Sequence, residues 1–220
     1  MFTKANRLIK NFKGESYLFG ENVLPHLGAF IKGAGSKAAL IIGRYPGCEV
    51  HLETINSSMQ KAGLEIVTEI EGAGPNAPRE DLFRIADALW ACDYDLLVSF
   101  GGGSTIDAAK AADVLKRLGG EIDKYFGTGR VTARVEDTGK ALTPHCAIQT
   151  AASSGAHLTK YSNITDIGTG QKKLIVDEAI VPAFPVFDYL TTHTSPPNLT
   201  LDGALDGIAH SLEVLYGAAG

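Results

Sequence analysis

An α/β fold, with a parallel sheet covered by helices on both faces, is what this sequence predicts, and three observations carry the prediction. First, short apolar runs alternate with stretches of helical spacing through the N-terminal part of the chain. Second, the run at residues 96–100 is apolar enough for a strand buried on both faces, and it passes through Gly101, Gly102 and Gly103 straight into an alanine-rich helical pattern. Third, from Ser195 the alternation stops, and one long helical period takes over through Leu201, Leu205, Ile208, Leu212 and Leu215.

Bulk properties agree with an ordinary soluble protein. With 220 residues, 45% apolar and 20% charged, it has enough material for one large domain or two small ones. A net charge of −5 argues against a nucleic-acid partner. Cys48, Cys92 and Cys146 lie far apart and lack metal-ligand spacing, so they read as reduced thiols and the expected compartment is the cytoplasm. The N-terminus lacks the apolar core of a signal peptide, and no run is long enough to cross a membrane.

Taken in order, residues 17–20 read as a short strand and residues 21–32 as an amphipathic helix closed by Gly33 and Gly35. The apolar run 37–43 is the next strand, and its end carries Arg44 in a loop where open α/β sheets bind ligands. A helix is expected over 50–62, a strand over 64–70, a loop over 72–78 and a helix over 79–92. The polar, glycine-containing stretch 127–139 reads as a surface loop or hairpin. Another strand lies within 141–150, and short strand candidates follow at 161–165, 173–176 and 185–188. Ser195 to Pro197 is a breaker, Thr200 is a capping residue, and the last helix covers 201–216.

Three places bear chemistry. At the triple glycine, backbone can approach an anion closely, and the helix opening there, with Ser104 or Thr105 as its cap and Asp107 in its first turn, presents unpaired N–H groups and a positive dipole end. The small, hydroxyl-rich segment 150–157 can place Thr150 and Ser154 against a ligand, or it is simply a tight packing loop. Asp206 and His210, four residues apart on a helix, share a face and can converge on one metal ion, although the same spacing also makes ordinary salt bridges.

The string Gly101-Gly-Gly-Ser-Thr-Ile-Asp-Ala-Ala-Lys-Ala111 resembles the phosphate-binding motif of the iron-containing alcohol dehydrogenase family. Residues 163–166, Lys172, Pro182, Asp188, Pro197, Thr200 and the Asp206/His210 pair fall, in order, where that family has its landmarks, so the resemblance runs along nearly the whole chain. It implies a Rossmann-like nucleotide-binding domain over residues 1–194, followed at 195–220 by the start of an all-helical metal-binding domain, with the active site between them. It also implies that Gly102, Gly103, Ser104 and Asp107 lie at the cofactor diphosphate, that Thr150, Ser154 and Lys172 face the cofactor, and that the protein works as a homo-oligomer, a dimer, on a small alcohol or carbonyl substrate.

Family members bind a divalent metal, iron or sometimes zinc, through one aspartate and three histidines. Asp206 and His210 match the first two ligands, and His26, His51, His145, His157 and His193 match neither of the others. Two readings stay open, a short form that is the whole product and, favoured here, an N-terminal portion of a longer dehydrogenase, expected to be inactive by itself. Arg44 stands where NAD-preferring members carry an aspartate, and a guanidinium pairs with a 2′-phosphate, so NADP is expected ahead of NAD; the alternative is an arginine pointing into solvent. The competing readings are a glycerol dehydrogenase-like or dehydroquinate synthase-like member of the wider superfamily, and a non-catalytic nucleotide-binding fragment.

Overall fold

The structure is a computed structural model, and it describes residues 2–153 and 155–218. Among these, six strands form one wholly parallel sheet: β1 (Leu18–Gly20), β2 (Lys37–Ile42), β3 (Glu65–Glu71), β4 (Leu96–Gly101), β6 (His145–Gln149) and β9 (Phe184–Asp188), in the spatial order β1-β9-β6-β4-β2-β3. A smaller sheet joins β5 (Gly127–Thr128), β8 (Gln171–Val176) and β7 (Tyr161–Asp166), with β7 antiparallel to β8. The helices are α1 (Phe2–Lys13), α2 (Leu27–Ile31), α3 (Glu49–Lys61), α4 (Arg79–Trp90), α5 (Gly103–Leu118), α6 (Arg130–Thr138) and α7 (Pro197–Ala218). None is long and apolar enough to cross a membrane.

Strand β2 shows why the sheet is buried on both sides. Its alternate residues Ala38, Leu40 and Ile42 enter a core with α2 and α3, whereas Ala39 and Ile41 enter a second core with α4 and α5. Strand β4 is buried at every position, so both of its faces are core. This is the layering the alternating pattern predicts.

Four local expectations are corrected. Residues 21–32 do not form one helix: a 3-10 turn at Leu24–His26 precedes the short α2. Pro25 and the positive φ of Asn22 interrupt the pattern, and the Asp188 carboxylate accepts instead from the N–H groups of Asn22, Val23 and Leu24 at 3.0, 2.7 and 3.0 Å. The stretch 127–139 is not a loop or hairpin but contains α6. Here Asp177, remote in sequence, accepts from the N–H groups of Val131 and Thr132, and left-handed glycines at 129 and 139 flank the helix. Helix α7 starts at Pro197, placing Thr200 inside it rather than at its cap, because proline is well suited to the first turn. Finally, α1 occupies an N-terminal stretch for which the sequence pattern predicts no element.

Candidate active site

The site forms at the carboxyl ends of the central parallel strands, where β4 runs into α5. Glycines at the ends of three adjacent strands make room for one side chain there: a Cβ at Gly43, Gly72 or Gly101 would come within 2.5 to 2.8 Å of Thr105. Thr105 is thus locked between strand ends, and it fixes where α5 begins. The next glycines are different. A Cβ at Gly102 would meet nothing within 4 Å, and one at Gly103 only Ala156 at 3.8 Å.

The cap of α5 differs from the expected one as well. Gly102, not Ser104 or Thr105, is the N-cap, no side chain caps the helix, and Asp107 falls beyond the first turn. The first N–H groups of α5 are therefore left free of a side-chain cap at an open backbone, which is the arrangement that receives an anion.

One cavity of about 700 Å³ gathers these groups: Gly103 and Ser104 line it together with Asp107, Lys172, Asp206 and His210. Five separate stretches of chain supply its walls, including Asn76 from the loop after β3 and Asn163 from β7. Asn76 and Ala77 have positive φ, and their carbonyls accept from Thr165 Oγ1 at 2.6 Å and Thr165 N–H at 3.0 Å, so β7 holds that loop in place. Asn76, Tyr161 and Glu213 were not singled out from sequence. Their only signal is position, since loops at the carboxyl edge of a parallel sheet face the ligand crevice.

Asp107 is buried, and its carboxylate accepts from the Asn163 N–H at 3.0 Å while lying 3.9 Å from the Lys110 ammonium. Burial pushes its carboxyl up to about 6, opposed by Lys110. Burial also pushes Lys110 down to about 8, opposed by Asp107. Each group thus favours the charged form of the other across 3.9 Å.

On α7, Asp206 and His210 share a face as their spacing predicts. The His210 Nδ1 is 2.9 Å from the Asp206 carbonyl and 3.4 Å from its carboxylate, and both contacts hold the imidazole above its ordinary pKa. With Nδ1–H donated to a carbonyl, Nε2 is left as a lone-pair donor, a pattern common among metal-binding histidines. Carboxylate and imidazole are suitable donors for iron or zinc, but among the described residues no third His, Cys, Asp or Glu joins them. They fit part of a metal site.

The remaining sequence candidates are placed as follows. Thr150 is buried, and its N–H donates to the Gly101 carbonyl at 3.1 Å, which ties the segment after β6 to the glycine loop. Ser154 lies outside the described residues. Lys172 reaches the cavity from β8. Arg44 follows β2 at the sheet end, half exposed, 3.8 Å from Glu69 and outside the cavity lining. The structure thus brings the glycine loop, Asp107, Lys172 and the Asp206/His210 pair together, and leaves Arg44 apart.

The sequence model of the family described as iron-containing alcohol dehydrogenase matches residues 14–189. The chain belongs to the iron-containing alcohol dehydrogenase family. It is 29% identical over 197 residues to the NAD-dependent methanol dehydrogenase of Bacillus methanolicus, covering 89% of this chain and 50% of that protein. It is 28% identical to the NADPH-dependent butanol dehydrogenase of Clostridium saccharobutylicum, covering 81% of this chain and 45% of that one. Among solved structures, the NADH-dependent butanol dehydrogenase A of Thermotoga maritima superposes with a TM-score of 0.78 at 25% identity, over 90% of this chain and 48% of that one. The chain spans about half the length of the curated relatives it matches.

Proposed function

We propose that this chain is the nucleotide-binding portion of an NAD(P)-dependent, metal-dependent oxidoreductase that interconverts a small alcohol and its aldehyde or ketone, working in the cytoplasm as a homodimer. The observation that carries the reading is the single cavity in which an uncapped helix N-terminus and open glycines face a carboxylate–imidazole pair from another helix. When bound, the nicotinamide cofactor supplies hydride transfer, and a divalent metal supplies Lewis-acid polarisation of the substrate oxygen.

The residues divide the remaining work. Gly102, Gly103 and Ser104 receive the diphosphate through backbone N–H groups, and Lys172 adds a positive charge on the far wall. Thr150 positions the glycine loop from behind. Asp206 and His210 hold the metal, with further donors coming from elsewhere in the assembled enzyme. Because relatives named for NAD and for NADPH both match, cofactor choice rests on Arg44. Its pairing with Glu69 is long and half exposed, so the guanidinium is available to a 2′-phosphate and NADP is the proposed cofactor.

Fluorescence titration of the chain with NADPH and NADH tests this without requiring turnover. Saturable binding is expected, tighter for NADPH, and strongly weakened by Gly102→Asp, which places a carboxylate at the open backbone. A chain that binds neither nucleotide would end the proposal. In the assembled enzyme, His210→Ala should remove metal and turnover together while cofactor binding persists; loss of the cofactor alone would detach His210 from the metal.

A further inference from the structure

One buried cation, Lys110 on α5, stands beside the cavity and is paired with Asp107 inside it. Lys110 is 1% exposed at its side chain, and its ammonium donates three hydrogen bonds, to the carbonyls of Ala156 at 2.7 Å, Thr159 at 2.8 Å and Tyr161 at 2.8 Å. An ammonium has three protons, and all three are used. Its neighbour Asp107 adds two bonds in the same direction, its carbonyl accepting from Ser162 Oγ at 2.8 Å and its carboxylate from the Asn163 N–H at 3.0 Å. Ala156, Thr159, Tyr161 and Asn163 all line the cavity that begins at Gly103. One turn of α5 therefore holds the cavity wall that runs on from the glycine loop.

The charges matter as much as the bonds. Asp107 lines the same cavity, so its carboxylate stands where it would oppose a diphosphate, and the Lys110 ammonium 3.9 Å away is the cation that offsets it. We infer that Lys110 is a positioning residue for the cofactor: it fixes the 156–161 wall of the cavity and neutralises Asp107, so that the pocket accepts a diphosphate. The inference rests on the nucleotide-binding reading above and adds to it a residue that touches no cofactor.

The test separates fixing from neutralising. In Lys110→Met, Asp107 loses the cation that favours its ionised form, so the loss of NADPH affinity should grow as pH rises and reach roughly tenfold once the carboxylate forms, the size of one lost charge coupling, while the uncharged probe adenosine changes much less. Adding Asp107→Asn to Lys110→Met should return NADPH affinity to within about threefold of the wild type, because both charges are then gone. Equal losses for NADPH and adenosine, or no recovery in the double variant, would leave Lys110 as a packing residue only and overturn the inference. Should Lys110→Met fail to fold by circular dichroism, Asp107→Asn alone decides: NADPH binding severalfold tighter supports the inference, and weaker or unchanged binding overturns it. A wild-type chain that binds no NADPH would instead overturn the nucleotide-binding reading itself.

Discussion

Helices α5 and α7 meet at the same cavity and could hardly be built more differently. Twelve residues of α5 are buried, among them Asp107, Lys110 and Asp113, and each of those three finds partners on other elements. Helix α7 has one buried residue, Gly203, and exposes Leu201, Leu205, Ile208, Leu212 and Leu215. The contrast teaches that the proposed anion half of the site is a by-product of the folded core, whereas the proposed metal half sits on a helix that gains little from this chain's own packing. A helix can dock through one close approach, and here that is Gly203 over the Ala152 carbonyl, where a Cβ would come within 1.8 Å.

The most severe way to break the α5 side is to empty the core beneath it. Leu97 on β4 is fully buried in the core shared with α5, and Leu97→Ala should lower unfolding free energy by about 2–5 kcal/mol in urea titration, with one cooperative transition. A loss under about 1 kcal/mol would mean that this core does not depend on the strand.

A smaller effect is expected from Gly203→Leu. The new side chain collides with the Ala152 backbone, so α7 should lift away at a cost of about 1–3 kcal/mol, seen as lost amide protection in 197–218 while the sheet keeps its own. If protection fell equally in β4 and α7, the two helices would be one cooperative unit and the contrast would fail.

The third experiment sharpens the comparison through pH. His157 packs behind the cavity wall, with Nε2 3.0 Å from the Tyr17 hydroxyl, and burial, reinforced by Lys110, pushes it down to about 3 from an ordinary 6.5. Its folded pKa lies below its unfolded one, so the unfolded chain binds the extra proton, and the stability it contributes is lost as pH falls from 6.5 toward 3. Asp107 acts in the opposite sense, since its raised pKa favours the folded state as pH falls through about 6 toward 3.8. The wild-type slope is therefore a net one, and the difference between wild type and His157→Phe isolates the histidine: about one proton, or ~1.4 kcal/mol per pH unit within that window. Identical slopes would show that His157 is accessible to solvent.

Much of this was legible in the chain, and the reasons are specific. Strand β4 and helix α5 could be read because a run buried on both faces must be apolar throughout, and a glycine turn into an alanine-rich helix has few alternatives. The Asp206/His210 pair could be read because helical spacing alone puts the two side chains on one face. Helix α6 and the turn at residues 24–26 could not, because the carboxylates that organise them, Asp177 and Asp188, come from far along the chain. The role of Lys110 was equally hidden, since in sequence it is one lysine in an amphipathic helix and its three acceptors are backbone carbonyls, which carry no sequence signature.

What the residue order determined by itself was local and periodic: which strongly patterned stretches are strands and helices, where glycines leave the backbone open after β4, and which two side chains lie one helical turn apart. What only the tertiary structure decided was convergence, namely that five stretches meet around one cavity and that α5 carries a charged pair inside it while Arg44 stays outside. The physical reason is that period and propensity act between neighbours in the chain, whereas burial, charge compensation and cavity shape depend on partners that folding alone brings together.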